Sequence, residues 1–266
     1  MKNYLKALLS IVFMSGVLFV TAQHAASIKE EAVTYTSKGV TLKSIVVYNE
    51  AQKGKRPAVI VVPEWWGNDD YTKMRAHMLA ELGYIAIATD MYGDDKIAAN
   101  PTEAMSYAGP FYKDPQLGKD RIEAAIAAIK KYPQTDASKI AAIGYCFGGS
   151  MVLNAAKLGT DLKTVVSFHG GLATAPATAG STKAQILVCQ GGADKFVPET
   201  DVKNFKGNLD SLNVPYTFIV YPNATHAFTN PAATEKGKKF NMPIEYNEVA
   251  DKKSWSDMQA FLKKTL

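Results

Sequence analysis

The sequence predicts an α/β fold, a mostly parallel central sheet with helices on both faces. Three observations lead there. Apolar, β-branched runs alternate with helical segments from residue 58 to the C-terminus, the pattern of successive strand–helix units. The run Ala58-Val59-Ile60-Val61-Val62 is continuously apolar, as a strand covered on both faces requires. Gly144-Tyr145-Cys146-Phe147-Gly148-Gly149 stands between the apolar run 140–143 and the small-residue helical stretch 150–156. That reads as a strand, a sharp turn and a helix, with a cysteine at the apex of the turn.

The elements follow in order. Residues 32–36 and 40–48 alternate in polarity and meet at Ser37-Lys38-Gly39, an antiparallel opening ribbon. After the strand 58–62, residues 71–82 have helical period, with Met74, Met78, Leu79 and Leu82 on one face. Gly83 ends that helix and 84–88 is the next strand. From 93 to 115 the pattern dissolves into a polar stretch with Pro101, Pro110 and Pro115. Two readings stand there: a loop that belongs to a binding site, or a surface excursion holding a short helix. Residues 117–132 form an amphipathic helix, Leu117, Arg121, Ala125 and Ile129 spaced by four with Ile122 and Ile126 beside them. Beyond the elbow come strands at 164–168, 184–188 and 216–220. A closing helix over 247–266 turns Ala250, Trp255, Met258, Phe261 and Leu262 inward.

The 266 residues, 47% hydrophobic and 21% charged, suffice for a complete core without covalent staples, and 23–266 is read as one domain. The first 22 residues stand apart. Lys2 and Lys6, an apolar run over 8–20 and Val20-Thr21-Ala22 have the layout of a signal peptide cleaved after Ala22. The run is shorter than the ~20 residues a spanning helix needs, so no stable membrane anchor is expected after cleavage. A periplasmic or secreted protein follows. Loss of Lys2 and Lys6 lowers the net charge from +5 to +3, and the remaining lysines are dispersed. Short runs of that kind are solvated faces, so no nucleic-acid partner is expected. No strongly apolar surface stripe is visible, and a monomer is the expected state. Strand 164–168 is expected to lie between those carrying Cys146 and Cys189, about 9–10 Å apart. A disulfide needs Cα atoms within about 7 Å, so two free thiols are expected.

In open α/β sheets functional groups collect at the carboxyl ends of the strands. Four strand ends carry reactive residues here: Glu64 after 58–62, Cys146 at the elbow, Asp194 after 184–188 and His226 after 216–220. Nucleophile, acid and histidine thus occur in the order Cys146, Asp194, His226, that of an α/β-hydrolase. Cys146 would attack a carbonyl carbon, His226 would take and return the proton, and Asp194 would orient the imidazole. The backbone N–H groups of Phe147 and Trp65 are the natural oxyanion donors. Taken singly, each residue has a plainer reading. Asp194 in Gly-Gly-Ala-Asp suits a turn, His226 a satisfied loop position, and a buried cysteine is usually packing. Their joint order and placement favour the catalytic set. His169 also ends a strand but has no acid placed to orient it, and is read as pocket lining or as a structural histidine.

With these motifs placed, the chain resembles the dienelactone hydrolase family. Gly144 to Gly149 is similar to that family's nucleophile signature, and Val62-Pro63-Glu64-Trp65-Trp66-Gly67 to its first active-site loop. Thr225-His226-Ala227-Phe228-Thr229-Asn230-Pro231, Tyr246-Asn247 and Ser254-Trp255 resemble its C-terminal blocks. The resemblance covers residues 32–264. It implies an α/β-hydrolase fold with a Cys-His-Asp triad, no cofactor and no metal, and a substrate pocket drawing on Trp66, Tyr92, His169 and Phe228. It also implies that Glu64 contacts the thiol and gates its ionisation. One departure bears on substrate. Family members specific for the anionic dienelactone place arginines after the strand-end tyrosine and shortly after the histidine. This chain has Tyr92-Gly93-Asp94 and Thr229-Asn230-Pro231 there. A carboxylate clamp is therefore absent from the expectation, and a neutral ester, lactone or thioester is the expected substrate. Two rival readings remain: a catalytically silent hydrolase fold that binds a small ligand, and a redox-active or disulfide-forming Cys146.

Overall fold

The computed structural model describes residues 27–266, so the expected signal segment lies outside the described residues. β1 (Ile28–Ser37) and β2 (Val40–Asn49) form a hairpin. Its two-residue turn, Lys38-Gly39, has both φ angles positive (50° and 80°), the turn geometry whose twist matches that of the strands. β3 (Arg56–Val62), β4 (Ile85–Ala88), β5 (Thr135–Tyr145), β6 (Thr164–Phe168), β7 (Gln185–Gly191) and β8 (Tyr216–Tyr221) complete the sheet. The strand order is β1-β2-β4-β3-β5-β6-β7-β8. β2 pairs antiparallel with β1 and β4, and every other neighbouring pair is parallel.

Alternate residues of each central strand enter different apolar layers. In β3, Ala58, Ile60 and Val62 join one layer with α2 (Pro101–Lys113), α3 (Pro115–Ile129), α4 (Phe147–Lys157) and α5 (Glu199–Ser211). Val59 and Val61 join the other with α1 (Asp70–Glu81) and α7 (Glu248–Thr265). Burial on both faces explains the unbroken apolar run that the sequence presents. Removing each of these valine and isoleucine side chains from water contributes about 1.5–3 kcal/mol. Arg75 of α1, 2% exposed, ties the second layer together. Its guanidinium pairs with Asp251 of α7 at 2.5 Å, donates to the Thr229 carbonyl at 2.7 Å and lies over the rings of Tyr71, Tyr145 and Trp255.

Most strands and the long helices lie where the sequence puts them. The polar stretch 93–115 holds a helix, as its second reading expects, but α2 is 13 residues long. Met105 and Tyr112 on it line the cavity beside Cys146, as the first reading expects. Asn100 caps it by accepting from the Glu103 N–H at 3.0 Å, and Pro101 occupies the first turn, where a missing N–H costs nothing. Asp114 closes α2 and, accepting from Gln116 N–H, opens α3. α6 (Ala233–Phe240) has no counterpart in the sequence-based expectation, because Phe240 is its one large apolar residue and gives no periodic signal. β6 does separate the strands that lead to Cys146 and end beside Cys189, and both thiols are free. Among the described residues no helix is long and apolar enough to cross a membrane.

The crossing of α4 over the strand ends leaves no room for side chains. A Cβ on Gly144 would lie 2.1 Å from the Gly148 carbonyl oxygen, and one on Gly148 would lie 2.3 Å from that of Val62. Gly148→Ala is therefore expected to lose about 3 kcal/mol or more of stability in urea denaturation. Gly207→Ala, in α5 with open space around it, should instead gain about 0.5–1 kcal/mol. Equal midpoints for the two variants would contradict the backbone contact.

Candidate active site

The elbow is a strained corner. Cys146 sits at φ 51° and ψ −114°, between the last residue of β5 and the first of α4. A non-glycine residue in such a region costs on the order of 1–3 kcal/mol and persists only when its surroundings hold it. Here its N–H is shared between the Phe168 carbonyl at 3.0 Å and His169 Nδ1 at 3.1 Å. The corner carries the side chain out above the sheet, at the start of α4.

Two neighbouring strand ends meet it. After β8, His226 places Nε2 3.0 Å from Cys146 Sγ. After β7, Asp194 accepts from His226 Nδ1 at 2.9 Å through Oδ2. Gln190 Nε2 also donates to that oxygen, while the Phe196 N–H donates to Oδ1. An ionised carboxylate only accepts, so it requires a hydrogen on Nδ1 and turns Nε2 toward the sulfur. Burial works against charge on His226, but Cys146 beside it and the Asp194 bond outweigh burial and hold its proton well above the usual imidazole range. The sequence thus names three residues, 80 positions apart at the extremes, that the fold assembles into one hydrogen-bonded line.

The remaining expected groups fall in different places. The Phe147 and Trp65 N–H groups have no hydrogen-bond acceptor among the described residues, and both residues line the cavity beside the sulfur. Glu64 lines it too, 2% exposed, but its Oε2 accepts from Asn230 Nδ2 at 2.6 Å. No hydrogen bond joins it to the thiol among the described residues, and its Oε1 is unpartnered. Burial first, then the charge of Asp69, pushes the Glu64 carboxyl up to about 7 against a usual 4.5. Lys236, the Asn230 bond and His226 pull less strongly the other way.

The cavity holds about 320 Å³ and is walled mainly by apolar groups. Trp66 lines it, as expected from the sequence. Tyr92, His169 and Phe228 do not: they stand behind its wall. Tyr92 packs on Phe147 and donates its hydroxyl to the Trp65 carbonyl at 2.9 Å, bracing the loop that carries Trp65. His169 and Phe228, both fully buried, pack edge to face 5.2 Å apart. Their places at the lining are taken by Met105 and Tyr112 of α2, by Phe196, and by Met242 and Ile244. The Met105 and Tyr112 contribution follows from α2, which brings a stretch without readable period back over the elbow. Phe196 lies two residues past the acid, with its ring 5.1 Å from that of His226.

A model of the dienelactone hydrolase family matches residues 42–266. The chain belongs to the dienelactone hydrolase family. It is a hydrolase of the α/β-hydrolase superfamily. A relative from Methylorubrum extorquens, named as a carboxymethylenebutenolidase, is 30% identical over 190 residues, covering 67% of this chain and 65% of that one. The crystal structure of a dienelactone hydrolase-like promiscuous phosphotriesterase from metagenomic libraries is 32% identical. It superposes with a TM-score of 0.84 over 91% of this chain and 99% of its own. A dienelactone hydrolase-type structure from Klebsiella pneumoniae, 22% identical, shares the fold with a TM-score of 0.74 over 89% of this chain and 99% of its own.

In this family member the Glu64 carboxyl generates a pH-dependent strain. Folded, it keeps its proton up to about 7, whereas an unfolded carboxyl loses it near 4.5. Rising pH therefore favours the unfolded state across that window, by a penalty on the order of 3 kcal/mol that is complete above pH 7. Glu64→Gln, which cannot ionise, is expected to raise the thermal midpoint at pH 8 and to leave it nearly unchanged at pH 4. A gain that is the same at both pH values would show that charge is not the cause.

Proposed function

We propose that the protein hydrolyses uncharged carboxylic esters or lactones through a thioacyl-enzyme on Cys146, with His226 and Asp194 completing the triad. The observation that carries this reading is the 3.0 Å contact between His226 Nε2 and Cys146 Sγ on the wall of an apolar cavity without lysine or arginine in its lining. Sulfur attacks the carbonyl carbon while His226 holds the pair's proton on Nε2. Negative charge gathers on the carbonyl oxygen, where the Phe147 and Trp65 N–H groups are free to receive it. His226 returns the proton to the leaving alcohol and the C–O bond breaks, leaving the acyl group on sulfur. Water, deprotonated by the same imidazole, then attacks the thioester, releasing the carboxylic acid and restoring the thiol. Asp194 keeps the imidazole in the required tautomer throughout.

Relatives named as carboxymethylenebutenolidases point to lactones, but among the described residues no lysine or arginine lines the cavity to clamp a carboxylate. The phosphotriesterase relative supports a second reading, since a phosphotriester is likewise an uncharged ester attacked at a centre that develops oxyanion charge. We further propose that residues 1–22 direct export and are removed, giving a periplasmic or secreted protein that starts at Gln23.

The test is hydrolysis of short-chain aryl esters, lactones and a neutral phosphotriester by protein starting at Gln23, beside Cys146→Ala. The variant is expected to lose at least about 10³-fold in kcat. Equal rates in both proteins, or none in either, would replace the hydrolase with a ligand-binding role. The mass of protein recovered from the periplasmic fraction checks the cleavage site.

A further inference from the structure

His169 takes no part in the mechanism above, yet its contacts are unusually constrained. It is fully buried, follows β6 with φ 40°, and donates its own N–H to the Cys189 carbonyl at 2.9 Å. Its Nδ1 lies 3.1 Å from the Cys146 backbone nitrogen and its Nε2 lies 2.7 Å from Thr229 Oγ1. A backbone N–H can only donate, so Nδ1 must be the bare nitrogen and Nε2 must carry the hydrogen. Thr229 Oγ1 is then the acceptor that holds this tautomer.

From Thr229 the chain of contacts continues away from the site. Its hydroxyl meets that of Tyr71 at 2.6 Å, and its carbonyl accepts from the Arg75 guanidinium, which is paired with Asp251. The imidazole is thus a rigid strut. One end bears on the peptide plane of the strained cysteine, and the other rests on a buried network joining α1 to α7.

We infer that His169 is a positioning residue for the nucleophile: its bare Nδ1 holds the Cys146 amide, and with it the direction of the sulfur toward His226. This rests on Cys146 being the nucleophile. The Phe168 carbonyl shares the same N–H, but the second acceptor fixes the plane of a peptide that its φ of 51° does not favour. The strut must also stay uncharged. Its ring lies 5.4 Å from that of His226, where a second positive charge would oppose the proton that Cys146 and Asp194 hold on that ring. Burial first, then the charges of His226 and Arg75, holds its proton affinity well below the usual imidazole range.

Two substitutions separate the ends of the strut. In His169→Asn the amide oxygen stands where Nδ1 stood and still accepts from Cys146. In His169→Gln the amide NH₂ reaches the Thr229 end, and the acceptor beside Cys146 is lost. The asparagine variant is expected to keep kcat within about threefold of the wild type. The glutamine variant should lose at least about tenfold in kcat at unchanged KM, with a displaced pH profile of kcat/KM.

Equal rates in both variants, or losses that follow their thermal midpoints with an unmoved pH profile, would overturn the proposal. If neither variant folds, Thr229→Ser and Thr229→Val carry the test, because serine keeps the acceptor for Nε2–H and valine removes it. The same split in kcat is then expected, and equal rates would overturn it. Iodoacetamide alkylation of Cys146 is followed in parallel, with slower alkylation expected in the variant that lacks the acceptor. That rate does not depend on any ester being a substrate. A protein inert toward every ester would thus sink the hydrolase reading, and the alkylation split would still decide the role of His169.

Discussion

The hydrogen bond from the Gly148 N–H to the Pro63 carbonyl, 3.0 Å long, joins two of the four strand ends on which the site is built. It is a backbone contact between the first turn of α4 and the chain leaving β3, and it needs a glycine at 148, where a Cβ would lie 2.5 Å from the Pro63 carbonyl oxygen. Once it forms, the thiol of Cys146, the N–H of Phe147 and the loop holding Glu64, Trp65 and Trp66 have one relative position. The elbow and this side of the cavity wall are then arranged around a single close approach of two main chains. Side chains supply the chemistry, but backbone proximity sets where each can act.

Strand ends and chain order were legible in the sequence because they rest on period and on local turn chemistry. The runs ending at Val62, Tyr145 and Phe168 are apolar on both sides, and such runs have few alternatives to a central strand. Cys146, Asp194 and His226 were legible for the same reason, each standing just past a strong strand signal. What the sequence conceals lies where partners are distant and weakly patterned. Nothing in residues 93–115 tells that α2 turns Met105 and Tyr112 toward the sulfur, because that face is chosen by tertiary packing. Nor does Tyr92 announce that it supports a wall instead of lining it. His169 was visible as a strand-end histidine, but its two partners are 23 and 60 residues away. The side-chain partner of Glu64, Asn230, is 166 residues distant.

The pairing of Glu64 with an amide shapes the electrostatics of the whole cavity. A guanidinium in place of Asn230 would stabilise the carboxylate and create a site for anions. An amide gives one hydrogen bond and no charge, so burial dominates and the carboxyl holds its proton to about 7. The cavity is therefore close to neutral below that pH, apart from the cysteine–histidine pair itself. Apolar walls strengthen the field of that pair, since few mobile dipoles oppose it. A charged group entering such a cavity would lose its solvation without a lysine or arginine to replace it, whereas an uncharged one would lose little.

The Arg75–Asp251 pair sets an order of events in the life of the chain. Synthesis proceeds from the N-terminus, and Asp251 follows His226 by 25 residues. Until α7 arrives, the Arg75 guanidinium has no carboxylate in the layer it shares with Tyr71 and Tyr145, and an unpaired buried cation costs several kcal/mol. Thr229, held by that guanidinium through its carbonyl, waits on the same event. A nascent chain can therefore contain its cysteine, aspartate and histidine for some time without having set them. α7 is made after all three, and it acts as the latch.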